Sequence, residues 1–147
     1  MVRLFNEEEM QQHIQNMEIG DRFITKSRVI TKTDLELYAI STGDYHPMFL
    51  SEEYAKAVGW KTQLVPGLLT FSIAVGLLIQ SGFISDVMAF LGADKVKFNS
   101  PAYPYDTIRV ETEVLSKRQT KSGNWICSYK WIVRNQNGET VAEGENT

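Results

Sequence analysis

The stretch from Val65 to Ile79, VPGLLTFSIAVGLLI, constrains the fold more than any other part of the sequence. Leu68, Leu69, Phe71, Ile73, Ala74, Val75, Leu77, Leu78 and Ile79 leave almost no polar face, and Thr70 and Ser72 are the polar interruptions. A helix that is apolar all round is buried on most of its sides. The run also falls short of the ~20 residues that cross a bilayer. The expectation is a central core helix, opened by Pro66-Gly67 and stopped at Gly82. Its cover must come from the rest of the chain.

Upstream, Arg22 to Ile30 reads as one strand. A helix is predicted from Asp34 to about Thr42, with Thr33 as N-cap, Glu36 completing a capping box and Gly43 as the left-handed stop. The loop Asp44 to Phe49 follows. A short helix then opens at Ser51, with Glu52 and Glu53 in its positive first turn, and ends at Gly59. Downstream the pattern turns to strands. Val96 to Phe98 is short and leads into the broken loop Ser100 to Pro104. From Ile108 to Leu115 the alternation is clean, with Ile108, Val110, Thr112 and Val114 on one side. Lys121-Ser122-Gly123-Asn124 signals a hairpin, and its second strand puts Trp125, Cys127, Tyr129, Trp131 and Val133 on one face. Asn137-Gly138 reads as a two-residue turn into a last strand from Glu139 to Glu143. Antiparallel strands and one apolar helix together predict a single α+β domain, its sheet curled around the central helix in the hot-dog manner.

Composition narrows the function. The 147 residues suit one domain, and 43% apolar with 22% charged is ordinary globular usage. A net charge of -3 with scattered basic residues gives no footprint for nucleic acid. The lone Cys127 cannot form an internal disulfide, and the first residues lack the apolar core of a signal peptide, so a cytoplasmic protein is expected. No His or Cys spacing suggests a metal.

Five segments then take on a common meaning. ITKTD, STGDYHPMFLSEEYAKAVGW, LVPGLLTFSIAVGLL, KFNSPAYPYDTIRVETEV and RNQNGETVAEG cover roughly four-fifths of the chain. In this order they resemble the MaoC-like dehydratases, the family that includes R-specific enoyl-CoA hydratases. The resemblance implies an acyl-CoA or other acyl thioester as ligand, with coenzyme A part of the substrate and no separate cofactor. It also implies a homodimer with the acyl site at the seam. The family's hydratases carry Asp-x-Asn-Pro-x-His in the loop, His-Gly at the start of the central helix and Ser-Gly further along it. Position by position, Asp44 stands at the catalytic Asp and Pro47 at the loop proline. His46 falls on the Asn and Phe49 on the catalytic His. Pro66 replaces the His of His-Gly, Gly67 keeps its glycine, and Val75, before Gly76, stands at the Ser.

Hydration of an enoyl thioester needs one group to take a proton from water and another to hand one to carbon. Such acid–base help contributes ~10²–10⁴-fold in rate. Backbone N–H groups at a helix start, here at Gly67 and Leu68, stabilise the charge that develops on the thioester oxygen. Phe49 can neither accept nor donate a proton. The resemblance therefore implies an acyl-thioester binder with weak or absent hydratase activity and Asp44 as surviving base. A thioesterase using Asp44, or a non-catalytic acyl-CoA-binding or partner subunit, are the alternatives.

Read on residue type alone, each candidate also has a plainer account. Asp44 fits a turn after Gly43, and Gly67 fits a helix opener. His46 is either a loop histidine bonded to backbone or an imidazole that swings into the site. Pro47, Phe49, Pro66, Leu68 and Val75 line a pocket or the core. His13 is expected in solvent, Cys127 as a small buried apolar residue, and the aromatic face of Trp125, Tyr129 and Trp131 in the core. Lys95, Lys97, Lys117, Arg118 and Lys121 are either solvated or set to meet coenzyme A phosphates.

Overall fold

A computed structural model describes residues 13–147; the reading of the first residues as lacking a leader lies mostly outside them. After a single 3₁₀ turn at Ile14–Asn16 come β1 (Arg22–Ile24), β2 (Arg28–Val29) and four helices: α1 (Lys32–Thr42), α2 (Pro47–Leu50), α3 (Glu52–Ala57) and α4 (Gly67–Gln80). The strands β3 (Ala93–Phe98), β4 (Thr107–Gln119), β5 (Trp125–Arg134) and β6 (Thr140–Asn146) complete the chain. All pairings are antiparallel, in the order β1-β4-β5-β6-β3, with β2 also on β4. This is the α+β hot-dog architecture, an open sheet with the long helix against one face.

The alternation in β4 and β5 carries the core. Ile108, Val110, Thr112 and Val114 on β4, and Cys127, Tyr129, Trp131 and Val133 on β5, are all buried. Trp131 packs edge-on against Phe71 of α4 at 4.7 Å between ring centroids, and Tyr129 meets Phe83 at 4.9 Å. On α4 the buried residues are Thr70, Ile73, Ala74, Leu77 and Leu78, an i, i+3, i+4, i+7, i+8 stripe. Its outward side stays open in the single chain, with Leu68 63% and Ile79 51% exposed, because one sheet layer covers one side of a helix.

Several local expectations are corrected. Arg22 to Ile30 is two strands, interrupted where Thr25 turns its hydroxyl to Lys26 O and accepts the Val110 N–H instead. The capping box of α1 lies two residues earlier than expected: Thr31 is the N-cap and Asp34 the reciprocal partner. Arg28, which donates to Asp34 at 2.6 Å, is the tertiary contact that selects this register. Asp44 to Phe49 is not wholly loop, since Pro47 opens the one-turn helix α2. Asn137-Gly138 closes a three-residue turn rather than a two-residue one: Gly138 N–H donates to Asn135 O, Asn135 N–H to Glu139 O, and Gly138 is left-handed at φ 75°. The Lys121–Gly123 turn uses the same pattern, with Gly123 at φ 90°. β6 runs to Asn146, where the Asn146 side chain accepts from Trp131 Nε1 at 2.9 Å and donates to the Tyr129 hydroxyl at 3.2 Å.

Candidate functional site

The end of α1, the start of α4 and the chain after β3 converge on one cleft of about 480 Å³. Asp44, Phe49, Pro66, Gly67 and Leu68 line it, together with Tyr38, Trp60, Leu64, Thr70, Phe98 and Ala102. Its walls are tied by backbone bonds: Leu64 N–H donates to Met48 O, and Val65 N–H donates to Ala102 O, both at 2.9 Å. Gln63 also donates from its side chain to Phe49 O at 3.1 Å.

Asp44 reaches the cleft because Gly43, left-handed at φ 78°, ends α1 and turns the chain. The half-buried Asp44 carboxylate accepts the His46 N–H at 3.4 Å, and the Asp44 N–H donates to Thr42 Oγ1. Tyr38, one turn back on α1, shares the wall. Burial and then the negative charge of Asp44 push its phenol pKa up, so it stays protonated at neutral pH.

At the other wall α4 begins without a side-chain cap. The Thr70 N–H is bonded to Pro66 O, so the N–H groups of Gly67, Leu68 and Leu69 are the ones helix geometry leaves without an intrahelical partner. Gly67 is needed for space rather than for backbone freedom: a Cβ there would lie 2.9 Å from Cε1 of Phe98. Phe98 therefore covers the first turn of α4 closely.

The other candidates sit elsewhere. The exposed His46 caps α2, its Nδ1 accepting the Met48 N–H at 3.2 Å while its ring lies against Phe49 and Tyr54. In this arrangement the imidazole serves local structure, and Pro47 is occupied as the first residue of α2. Val75 lies two turns further along α4 and lines a second, mainly apolar cavity of about 650 Å³ with Ile79, Phe83 and the 87–91 segment. That cavity is the larger, yet its ionisable groups are committed. Asp86 accepts the Ile14 N–H and lies 3.7 Å from the partly exposed His13. Burial pushes the Cys127 thiol pKa up, partly offset by the Lys117 charge. Lys117 itself is tied to Gln15 O and Met17 O over the Trp125 ring, and the exposed Lys95 lies 3.5 Å from Glu145. Among the described residues, no group of acidic, His and Cys side chains is arranged to hold a metal and no helix is long and apolar enough to cross a membrane.

Sequence reasoning missed Tyr38, Thr70 and Phe98. Thr70 did leave a signal, a hydroxyl on the face of an apolar helix that turns to the core; Tyr38 and Phe98 looked like ordinary amphipathic and strand residues.

Comparison with known proteins bears on this geometry. The profile of the MaoC-like domain matches residues 14–134. The chain is 27% identical over 131 residues to a mitochondrial 3-hydroxyacyl-[acyl-carrier-protein] dehydratase of Arabidopsis thaliana, covering 89% of this chain and 76% of that one. Several other curated matches are longer proteins, of which this chain spans a third or less. Among solved structures, a monoamine oxidase regulatory protein from Archaeoglobus is similar with a TM-score of 0.84 and 30% identity over 92% of each chain. The R-hydratase PhaJ1 from Pseudomonas aeruginosa is similar with a TM-score of 0.76 and 26% identity, over 91% of this chain and 82% of that one.

Proposed function

The chain belongs to the MaoC-like dehydratase family, and from that premise we propose that its cleft holds an acyl thioester such as an acyl-CoA, with Asp44 as the base. The observation that carries the reading is the shared cleft: a carboxylate on one wall faces an uncapped helix start on the other. The α4 N–H groups would receive the thioester oxygen, where they stabilise charge as it develops. Phe49, Leu64, Pro66 and Leu68 give the acyl carbons an apolar bed. Asp44 takes a proton from the water whose oxygen adds to the β-carbon and, with no second acid beside it, the same carboxyl hands that proton to the carbon next to the thioester; dehydration retraces both transfers. The loop imidazole expected as its partner is replaced by Phe49, and His46 is engaged as a helix cap, so hydration is weak or absent.

The working unit is a homodimer. Supporting it, β3 is an edge strand, and the apolar Phe90, Leu91 and Phe98 around it are about half exposed or more, with Leu68 beside them in the cleft wall. An exposed edge with apolar residues is a surface that a second copy pairs with and covers.

Incubation with crotonyl-CoA, following loss of the conjugated enoyl absorbance and release of free thiol, tests the reading. Expected are a raised melting temperature on binding and hydration far below that of a relative with the loop histidine. Any residual hydration disappears in Asp44→Asn. Turnover equal to that relative, or no stabilisation by any acyl-CoA, overturns it. Thiol release above the Asp44→Asn level would point to a thioesterase instead.

A further inference from the structure

We propose that the Tyr38 phenol contacts the substrate: it donates a hydrogen bond to the water oxygen that adds to the β-carbon, and afterwards to the 3-hydroxyl which that oxygen becomes. The inference rests on the thioester reading above and adds a second contact beside Asp44. Tyr38 and Asp44 line the same cleft, on either side of the residue where α1 stops at Gly43. One hydroxyl fixes their backbones to each other: Thr42 Oγ1 donates to Tyr38 O at 2.6 Å and accepts the Asp44 N–H at 3.2 Å. The half-buried phenol lies within range of the Asp44 charge, which together with burial holds its proton in place. Yet among the described residues no hydrogen bond ties the phenol to Asp44 or to any other group. The two groups are near enough to act on one small ligand and too far apart to satisfy each other directly.

Their chemistry identifies that ligand. An ionised carboxylate only accepts hydrogen bonds, whereas a protonated phenol can donate one. An oxygen that donates to the first and accepts from the second satisfies both, and a water or an alcohol is such an oxygen. A water held by Asp44 alone still turns about that one bond. Accepting from Tyr38 as well leaves a single lone pair free to aim at the β-carbon, which is the orientation that addition needs. The phenol keeps its proton throughout, because the neighbouring carboxylate disfavours a phenolate, and Asp44 remains the group that moves protons. Phe49 in the same cleft offers no polar contact, and the His46 imidazole is held at the α2 cap. The ligand class that follows is an acyl thioester bearing an oxygen on its third carbon.

Tyr38→Phe removes the hydroxyl and keeps the ring. Parent and variant are titrated by calorimetry with 3-hydroxybutyryl-CoA, which carries the oxygen, and with butyryl-CoA, which lacks it. Tyr38→Phe is expected to weaken 3-hydroxybutyryl-CoA by about fivefold, the loss for one neutral hydrogen bond, and to leave butyryl-CoA within about twofold of the parent. A hydroxyl that only shapes the wall would weaken both thioesters alike, and that result overturns the proposal. So does equal binding of 3-hydroxybutyryl-CoA by variant and parent. Either result leaves the thioester reading standing, because the parent still binds butyryl-CoA. Failure of the parent to bind either compound overturns both.

Discussion

Replacing Asp34 by alanine tests how the site is held in place, because Asp34 fastens the start of the helix whose far end delivers Tyr38 and Asp44. The carboxylate accepts the Thr31 N–H at 2.8 Å and the Thr31 hydroxyl at 3.0 Å, and it receives Arg28 at 2.6 Å. Losing the reciprocal cap costs about 1 kcal/mol. The Arg28 contact adds about 1 kcal/mol at most, since the Arg28 side chain is 36% exposed and solvent weakens such pairs. The sum, ~2 kcal/mol, lowers the melting temperature by about 8 °C for a chain of this size. Asp34→Asn keeps an acceptor for Thr31 and should lose about half of that.

The pH dependence follows from the same contacts. Burial opposes ionisation of Asp34, but the Thr31 hydrogen bonds and the Arg28 charge outweigh it and hold the pKa below the ordinary 3.8. A carboxylate with a lowered folded pKa adds stability that is complete above the unfolded pKa and is lost as the pH falls through the folded one. The gap between parent and Asp34→Asn should thus be full at neutral pH and close below about pH 4. Thermal melts by circular dichroism across that range are the assay. An Asp34→Ala melting temperature within about 1 °C of the parent, or a gap that widens in acid, refutes the reasoning.

Two further substitutions probe backbone and packing. Tyr105 is 63% exposed and left-handed at φ 72°, so Tyr105→Gly should stabilise by about 0.5–1 kcal/mol while keeping its N–H bond to Ile30 O; a lower melting temperature refutes this. A Cβ on Gly144 would meet Cζ2 of Trp131 at 2.7 Å, and Trp131 is fixed by Asn146, so Gly144→Ala should cost about 2–3 kcal/mol in chemical denaturation; a loss under about 0.5 kcal/mol would show that the ring yields.

Much of the fold was legible because its elements have strong local patterns. The apolar run of α4, the alternation of β4 and the Gly43 stop each follow from short-range spacing. The capping box was misplaced by two residues because Thr31-x-x-Asp34 and Thr33-x-x-Glu36 are equally good locally, and only Arg28 beside Asp34 separates them. The Asn137-Gly138 hairpin gained a residue because a three-residue turn ending in a left-handed glycine suits the strand twist as well as a two-residue turn does.

The site divides in the same way. Asp44 after Gly43 and the Pro66-Gly67 helix start are sequential features, and each could be named before any fold was known. That they face each other across one cleft is tertiary, since it depends on the backbone ties of Met48 to Leu64 and Val65 to Ala102. The retirement of His46 to a helix cap and the separation of Val75 from the cleft were likewise decided in three dimensions. So was the meaning of Thr70. In the sequence it is a polar blemish on an apolar helix; in the fold it is buried on the core-facing side of α4 and lines the cleft, because burial is a property of neighbours that the chain brings together only when folded.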